Sequence, residues 1–140
     1  MADARPKSFN ERVIDDFRAH KGQITSGPFT GRSLLLLTTK GAKSRNERTS
    51  PLAYSRDGDR LVVIASKGGA PTSPAWYHNL RTHSDVTVEV GPEKFSARAQ
   101  VAGEPERRRL YDQHAAKMPA FAAYEKKTTR KIPVVVLRRI

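Results

Sequence analysis

The sequence contains no cysteine among its 140 residues. This absence excludes disulfides, a thiolate nucleophile and cysteine-ligated metal sites. Its most continuous apolar run, Leu34–Leu37, is far shorter than the ~20 residues of a membrane-spanning helix. The first residues carry no apolar segment of signal-peptide length. We therefore expect a protein of the cytoplasm.

The common catalytic patterns are also missing. There is no G-x-S-x-G nucleophile elbow, and no serine stands in an interpretable relation to a histidine and an acid. The four histidines, His20, His78, His83 and His114, lack the spacing of metal ligands beside carboxylates, so we predict no metal site. If the protein is an enzyme, a cofactor should supply the reactive atoms.

Acidic residues are scarce relative to basic ones. The 26 lysines and arginines against 14 aspartates and glutamates give a net charge of +12. Such a field attracts polyanions, which include nucleic acid, an anionic membrane face, and phosphorylated or polycarboxylate ligands. A chain of 140 residues is most simply one domain, and 37% hydrophobic with 29% charged residues is the composition of a soluble globular protein.

The hydrophobic pattern predicts a mainly β protein with helices. Ser8 and Glu11 have the spacing of a capping box, which predicts a helix over 8–22. A Ser-Pro pair predicts a short helix over 74–83, with Ser73 as its N-cap and Pro74 as its first residue. The pattern further predicts strands over 33–39, 48–55, 60–66, 85–90, 95–101 and 131–139, and helices over 104–118 and 119–129. About six strands in mostly hairpin order favour a small antiparallel barrel or strongly curled sheet with flanking helices.

Two basic, hydroxyl-rich loops are candidates for anion binding. In Ser66–Gly69, the glycines would let backbone N–H groups approach a phosphate, while the serine and lysine add a hydroxyl and a charge. The turn 40–50 has four basic residues against one acid. Alternatively, Ser66–Gly69 is only a flexible loop and the turn 40–50 is only a solvated hairpin tip. At the same end of a barrel, the two loops would form one anion-binding mouth.

Aromatic residues follow these loops. Trp76 and Leu80 share a helix face, so we expect one or both to pack on the sheet; Trp76 could instead be a wall beside a planar ring, with Asn79 bonding to a ligand or a loop. Met118, Phe121 and Tyr124 line one side of the last predicted helix at spacing i, i+3, i+6. This stripe is either core or an apolar lid over a pocket.

Three segments together resemble the deazaflavin-dependent nitroreductase family, the actinobacterial reductases that use coenzyme F420. These are TTKGAKSRNERTSPLAY, DGDRLVVIASKGGAPTSPAWYHNL, and Tyr124 followed eight residues later by IPVVVL. The resemblance covers roughly Gly31 to Leu137 and implies a split β-barrel related to reductases that bind flavin mononucleotide. We accordingly predict an N-terminal helix and connector over 1–30 and a deazaflavin-binding split barrel over 31–140.

The resemblance also implies an activity and its residues. Reduced F420 would give a hydride to a quinone, a nitroaromatic or a similar activated acceptor. Late aromatic positions would cover the acceptor pocket, and of three tyrosines found there in some nitroreductases only Tyr124 is present. Our mechanistic hypothesis makes Tyr124 and Ser66 catalytic, orienting the acceptor's oxygen or assisting its protonation. The predicted cofactor contacts are Ala42, Lys43, Ser44, Arg48, Thr49, Ser50, Pro51, Leu52, Ala53, Ile64, Ala65, Ser66, Lys67, Ala75, Trp76, Tyr77, His78, Asn79 and Phe121.

Three other interpretations stay open at this point. The same barrel could hold flavin mononucleotide, or the protein could be a basic module for RNA or DNA, although its strands lack aromatics interleaved with basic residues. The N-terminal helix could lie on a membrane through Phe9, Val13, Ile14 and Phe17 beside its basic residues. We favour a small-molecule acceptor as partner, no nucleic acid, and a monomer over an obligate oligomer.

Overall fold

The computed structural model describes residues 7–140, and all seven of its strands belong to one antiparallel sheet in the order β2-β1-β5-β6-β7-β4-β3. Four α-helices flank the sheet. The strands are β1 (Leu34–Lys40), β2 (Glu47–Ala53), β3 (Ser55–Asp57), β4 (Arg60–Ile64), β5 (Asp85–Val90), β6 (Glu93–Val101) and β7 (Val134–Arg139). The helices are α1 (Phe9–Ala19), α2 (Ala75–Thr82), α3 (Glu106–Lys117) and α4 (Ala120–Lys126), and Lys67–Gly69 forms one 3-10 turn.

The two edge strands are joined by Tyr54 alone. Strand β2 pairs with β1, whereas β3 pairs with β4 at the other edge of the sheet. Because one residue connects the two edges, the sheet must curl until they approach each other, which produces the half-barrel shape. The prediction of a single strand over 48–55 was therefore wrong: Ser55 already belongs to β3, whose partner is Val62.

Strand β1 is buried on both faces, as its continuous apolar run predicts. Leu35 and Leu37 point into the main core with Val63, Val88 and Val135. Leu34 and Leu36 point the other way and pack against Val13 and Phe17 of α1. On the far side, Val62 and Val136 pack against Leu110 and Tyr111 of α3. The helices thus cover the strands whose sequences are continuously apolar and which are therefore buried on both faces.

Helix α1 is docked on the sheet. Its capping box is confirmed: Glu11 N donates to Ser8 Oγ (3.1 Å) and Ser8 N donates to Glu11 Oε1 (3.3 Å). The helix ends at Ala19, before the predicted Gly22. Arg18 donates twice to Glu89 on β5, at 2.8 and 3.1 Å. The apolar face proposed for membrane contact is therefore largely used inside the protein, because Val13 and Phe17 are buried and Phe9 stays half exposed.

The prediction for the start of α2 was wrong in detail. Pro74 has an extended backbone (ψ 158°) and is the N-cap, so the helix begins at Ala75. Ser73 makes no capping bond; its Oγ accepts a hydrogen bond from Arg130 instead. Met118 lies outside α4, as the residue that caps the C-terminal end of α3. Within residues 7–140, the structure has no helix long and apolar enough to cross a membrane.

Candidate functional site

A cleft of about 580 Å³ opens beside the edge strand β2. Its walls come from β2, the end of β4, the 3-10 turn and the junction between α3 and α4. This volume lies within the range of ordinary small-molecule sites. The lining residues are Phe29, Arg32, Leu34, Pro51, Leu52, Ala53, Ile64, Ser66, Lys67, Gly68, Pro74, Trp76, Lys117, Met118, Pro119, Ala120, Phe121 and Tyr124.

The structure brings together about half of the predicted site residues in this cleft. Those that line it are Pro51, Leu52, Ala53, Ile64, Ser66, Lys67, Trp76, Phe121 and Tyr124, with Met118 of the predicted stripe. Those outside the lining are Ala42, Lys43, Ser44, Arg48, Thr49, Ser50, Ala65, Ala75, Tyr77, His78 and Asn79. Trp76 is both a core residue and a cleft wall, so neither of its two predicted roles excludes the other.

Some of the residues outside the cleft have structural surroundings. Ala65 is fully buried in the main core, and Tyr77 packs against that core from its edge. Thr49 Oγ1 lies 2.8 Å from Thr38 Oγ1 across the β1–β2 pair. Ala75 and His78 are exposed on α2. A cofactor contact by any of these five stays a prediction.

Asn79 links the basic turn to α2. Its Nδ2 donates to Thr39 Oγ1 (3.1 Å), and its Oδ1 accepts from the backbone N–H of Ala42 (3.1 Å). The sequence suggested that Asn79 bonds to a ligand or to a loop, and in the structure it bonds to the loop. Asn79 thus ties the turn 41–46, which we call the basic hairpin, to the helix that also carries Trp76 of the cleft wall. Lys43 and Arg45 of this hairpin and Arg48 near the start of β2 are exposed, and no ion pair engages them within residues 7–140.

Three successive residues with left-handed backbone shape the rim of the cleft. Lys67, Gly68 and Gly69 have φ of 48°, 64° and 86°. At Gly68, a Cβ would meet nothing within 4 Å, so its backbone is open to a ligand. At Gly69, a Cβ would lie 2.9 Å from the carbonyl oxygen of Tyr124 and from Lys127 Cβ. The second glycine therefore allows α4 to pack against the turn and close one side of the cleft.

Arg130 holds this turn in place, although it is not among the site residues predicted from the sequence. Its guanidinium donates to the carbonyls of Ala65 (3.1 Å), Ser66 (2.8 Å) and Ala70 (2.8 Å), and to Ser73 Oγ (3.2 Å). One side chain thus bonds four groups of the segment 65–73, three of which are backbone carbonyls. No local sequence signal marks Arg130, because it lies more than 50 residues after the segment 65–73 that it contacts, in an irregular stretch before β7.

The two predicted catalytic hydroxyls both reach the cleft. Tyr124 packs edge-on against Phe121, with ring centroids 5.2 Å apart. Ser66 is nearly buried beside Lys67. Neither the Tyr124 hydroxyl nor Ser66 Oγ has a hydrogen-bond partner within the described part of the chain. Both groups are therefore available to an oxygen or nitrogen of a bound molecule.

A buried histidine supports the aromatic wall from behind. His114 is fully buried, its Nδ1 lies 2.8 Å from Ser55 Oγ, and its ring contacts Phe121 edge-on at 4.4 Å. Its Nε2 has no partner among residues 7–140. Burial, helped by the nearby positive charge of Lys117, lowers the pKa of His114 from 6.5 to about 4. The residue is therefore a neutral packing group at pH 7.

This low pKa predicts a loss of stability in mild acid. The unfolded chain, with an ordinary histidine pKa near 6.5, takes up a proton before the folded protein does, so stability falls as the pH drops from about 6.5 toward about 4. We expect His114 to contribute a decrease of about 2 kcal/mol in the free energy of unfolding between pH 7 and pH 5. Urea unfolding at both pH values measures it, and His114→Gln should remove that decrease. The control His83→Gln, at a solvent-accessible histidine, should retain the decrease. If His114→Gln lost as much unfolding free energy between pH 7 and pH 5 as the wild type does, the assignment to His114 would be contradicted.

The curled antiparallel sheet, with a basic, aromatic-walled cleft at its edge, has the architecture of a split β-barrel. The residues from 7 to 140 hold no cluster of three or more acids and histidines suited to a metal ion. A family model described as F420H2-dependent quinone reductase matches residues 10–139. The chain belongs to this family.

Individual relatives agree with the family assignment. The chain is 44% identical over 108 residues to an F420H2-dependent quinone reductase of Mycobacterium tuberculosis (strain H37Rv), covering 75% of this chain and 72% of that protein. It is similar to a solved F420H2-dependent reductase, FDR-A, at 33% identity and a TM-score of 0.70, covering 75% and 93% of the two chains. The predicted split-barrel fold and the resemblance to F420-dependent reductases are thereby confirmed.

Another solved structure bears on assembly. It is described as a domain-swapped dimer, and it is similar to this chain at 30% identity with a TM-score of 0.73, covering 91% of this chain and 96% of that one. This similarity therefore gives no support to the prediction of a monomer.

Proposed function

We propose that this chain reduces quinones with reduced coenzyme F420 and that the cleft beside β2 is where the hydride is transferred. The observation that carries the proposal is the convergence of Ser66, Lys67, Gly68 and Trp76 on one cleft, in a chain of the F420H2-dependent quinone reductase family. The acceptor is a small molecule that shares this cleft.

The chemistry of the cleft fits a deazaflavin. Coenzyme F420 has a flat aromatic head, a phosphodiester and an acidic tail. Pro51, Leu52 and Ile64 offer an apolar surface for the head, with Trp76 beside them. Ser66 and the open backbone of Gly68 suit polar groups, and Lys67 suits a negative charge. Since Asn79 ties the basic hairpin to the helix that carries Trp76, and since Lys43 and Arg45 have no acidic partner within residues 7–140, we assign the acidic tail to Lys43 and its neighbours.

The mechanism needs little from the protein beyond positioning. Bound reduced F420 supplies a hydride, and with one proton from water this converts a quinone to a hydroquinone. Phe121 and Met118 line the cleft and would help to exclude water from a bound acceptor. Ser66 and Tyr124 donate hydrogen bonds that hold the acceptor's oxygens where negative charge develops. By holding the acceptor in one orientation beside the cofactor, these residues would contribute to the rate through positioning.

The charge assignment gives the experiment that tests this site. Lys43→Gln combined with Lys67→Gln should weaken F420 binding by about tenfold or more at low salt, because each exposed charge contributes roughly 1 kcal/mol to an ion pair with the anion. The loss should shrink at high salt, where screening already weakens the wild-type complex. Quenching of Trp76 fluorescence during a titration with F420 measures the dissociation constant.

A matched pair of cations outside the cleft provides the control. Lys94→Gln with Arg138→Gln removes the same charge from exposed positions on β6 and β7, and the dissociation constant should change by about twofold or less. Equal weakening in both double variants would mean that only the net charge matters. No loss of affinity in the Lys43 and Lys67 variant would refute the assigned site.

A further inference from the structure

A second cleft, which we call the side cleft, lies next to the main one and has a volume of about 420 Å³. The two clefts share wall residues, so a molecule in one can extend into the other. The shared residues are Arg32, Leu34, Ala53, Lys117 and Met118; the side cleft adds Ser33, Tyr54, Ser55 and Arg56. Nothing in the proposed cofactor site uses these four.

The side cleft is cationic at its rim and apolar at its floor. Arg32, Arg56 and Lys117 surround it, and its lining contains no carboxylate. All three cations are exposed, and within residues 7–140 none of them has an ion-pair partner. Elsewhere on the protein, Arg60 of β4 and the three arginines of α3 are paired with acids, as in Arg60 with Asp57. Leu34 and Met118 supply the apolar floor.

The position of the side cleft separates it from the basic hairpin. Strand β2 has seven residues, so its two ends are about 20 Å apart. The basic hairpin precedes the first residue of β2, whereas Tyr54 and Arg56 follow its last residue. Pro51–Ala53, which line the main cleft, lie toward the side-cleft end. A cofactor whose tail extends toward the hairpin therefore leaves the side cleft free.

We propose that the side cleft binds an anionic group of the hydride acceptor, such as a carboxylate or sulfonate attached to a quinone ring. This inference rests on the proposed function, because it places the quinone itself in the main cleft. An apolar floor with a ring of unpaired cations matches an apolar molecule that carries one negative charge. The enzyme would then select anionic quinones over neutral ones of the same shape.

The test uses a matched pair of acceptors. A 1,4-naphthoquinone with a propionate side chain and the methyl ester of the same compound differ in charge but little in ring chemistry. The wild-type protein should show a higher kcat/KM for the acid than for the ester. Arg56→Gln should reduce the ratio of the two values by about fivefold, and Arg56→Gln with Lys117→Gln by more than tenfold. Arg56→Lys should retain most of the ratio.

Binding without turnover gives a second readout. With the protein saturated by oxidised F420, calorimetry measures the dissociation constants of acid and ester, whose ratio should change as the kinetic ratio does. The control Lys94→Gln with Arg138→Gln should leave both ratios as in the wild type. If the Arg56 and Lys117 variant instead weakens F420 binding and keeps the ratios, the side cleft holds the cofactor's tail and the proposal is overturned.

Equal affinity of the wild type for acid and ester also overturns the proposal. Failure of the proposed function looks different. In that case neither quinone is reduced with F420H2, and acid and ester are titrated into the cofactor-free protein. A preference for the acid that Arg56→Gln abolishes still supports the side cleft as an anion site; no such preference overturns it.

Discussion

Replacing Arg130 with methionine is expected to lower the free energy of unfolding by about 3 kcal/mol and to weaken F420 binding by at least tenfold. The methionine keeps much of the length and apolar stem of the arginine but donates no hydrogen bond. The carbonyls of Ala65, Ser66 and Ala70 then lose the partner that each now has at 2.8 to 3.1 Å. Urea unfolding and the Trp76 titration measure the two effects.

The affinity for F420 should fall because Arg130 positions Lys67 and Gly68 through its bonds to neighbouring residues. It fixes the backbone on both sides of Lys67 and Gly68, and these two residues form the rim of the main cleft. Without the arginine, binding F420 must also order this segment, and that ordering costs part of the binding free energy.

Arg138→Met is the matched control. Arg138 is exposed on β7, and no hydrogen bond or ion pair engages its side chain within the described residues, so this change should cost about 0.5 kcal/mol or less. Arg130→Lys should fall between the wild type and Arg130→Met, since an ammonium can reach some of the carbonyls but not all of them. If Arg130→Met were as stable as Arg138→Met, the segment would not depend on Arg130.

Arg130 also illustrates which parts of the structure the sequence could predict. The capping box of α1, the two-sided burial of β1 and the antiparallel order of most strands were predicted correctly, because each depends on residues within a short window. The contacts of Arg130 connect positions some 60 residues apart. No periodicity or spacing reveals such a pair.

The sequence did not predict that β2 and β3 are separate strands, for a related reason. An alternating pattern shows that a segment is extended, but it does not show which strand it pairs with. At Tyr54 the chain leaves β1 and joins β4 without a glycine or a turn in the sequence. Ser73 was similarly misassigned as a helix cap, because its hydroxyl has a distant partner in Arg130.

The sequence predicted those residues of the main cleft that are close together along the chain, and it missed others. Ser66, Lys67 and Trp76 lie within eleven positions and carry distinctive chemistry. Phe29 and Arg32 were missed, since they belong to an irregular connector that reaches the cleft only because α1 packs on the sheet. A site built from several elements can be predicted from its most distinctive element, and the remaining walls require the fold.

Gly69→Ala is expected to lower the free energy of unfolding by about 3 kcal/mol, against about 1 kcal/mol for Gly68→Ala. Both glycines have positive φ, so both alanines carry the cost of a left-handed backbone. Only at position 69 does the new Cβ approach other atoms within 2.9 Å, and one of them is the backbone oxygen of Tyr124. The difference between the two variants therefore isolates the contact between the 3-10 turn and α4.

The functional effects of the two variants should differ in kind. Gly69→Ala must push α4 outward, and α4 carries Phe121 and Tyr124, so the KM for the quinone should rise by about tenfold while F420 affinity changes less. Gly68→Ala places a methyl group in open space on the cleft rim, so F420 affinity should fall and the quinone KM should change little. Urea unfolding, fluorescence titration and steady-state kinetics separate these outcomes. Equal stability losses in the two variants would show that the turn and α4 are not in the close contact that the proposed acceptor site requires.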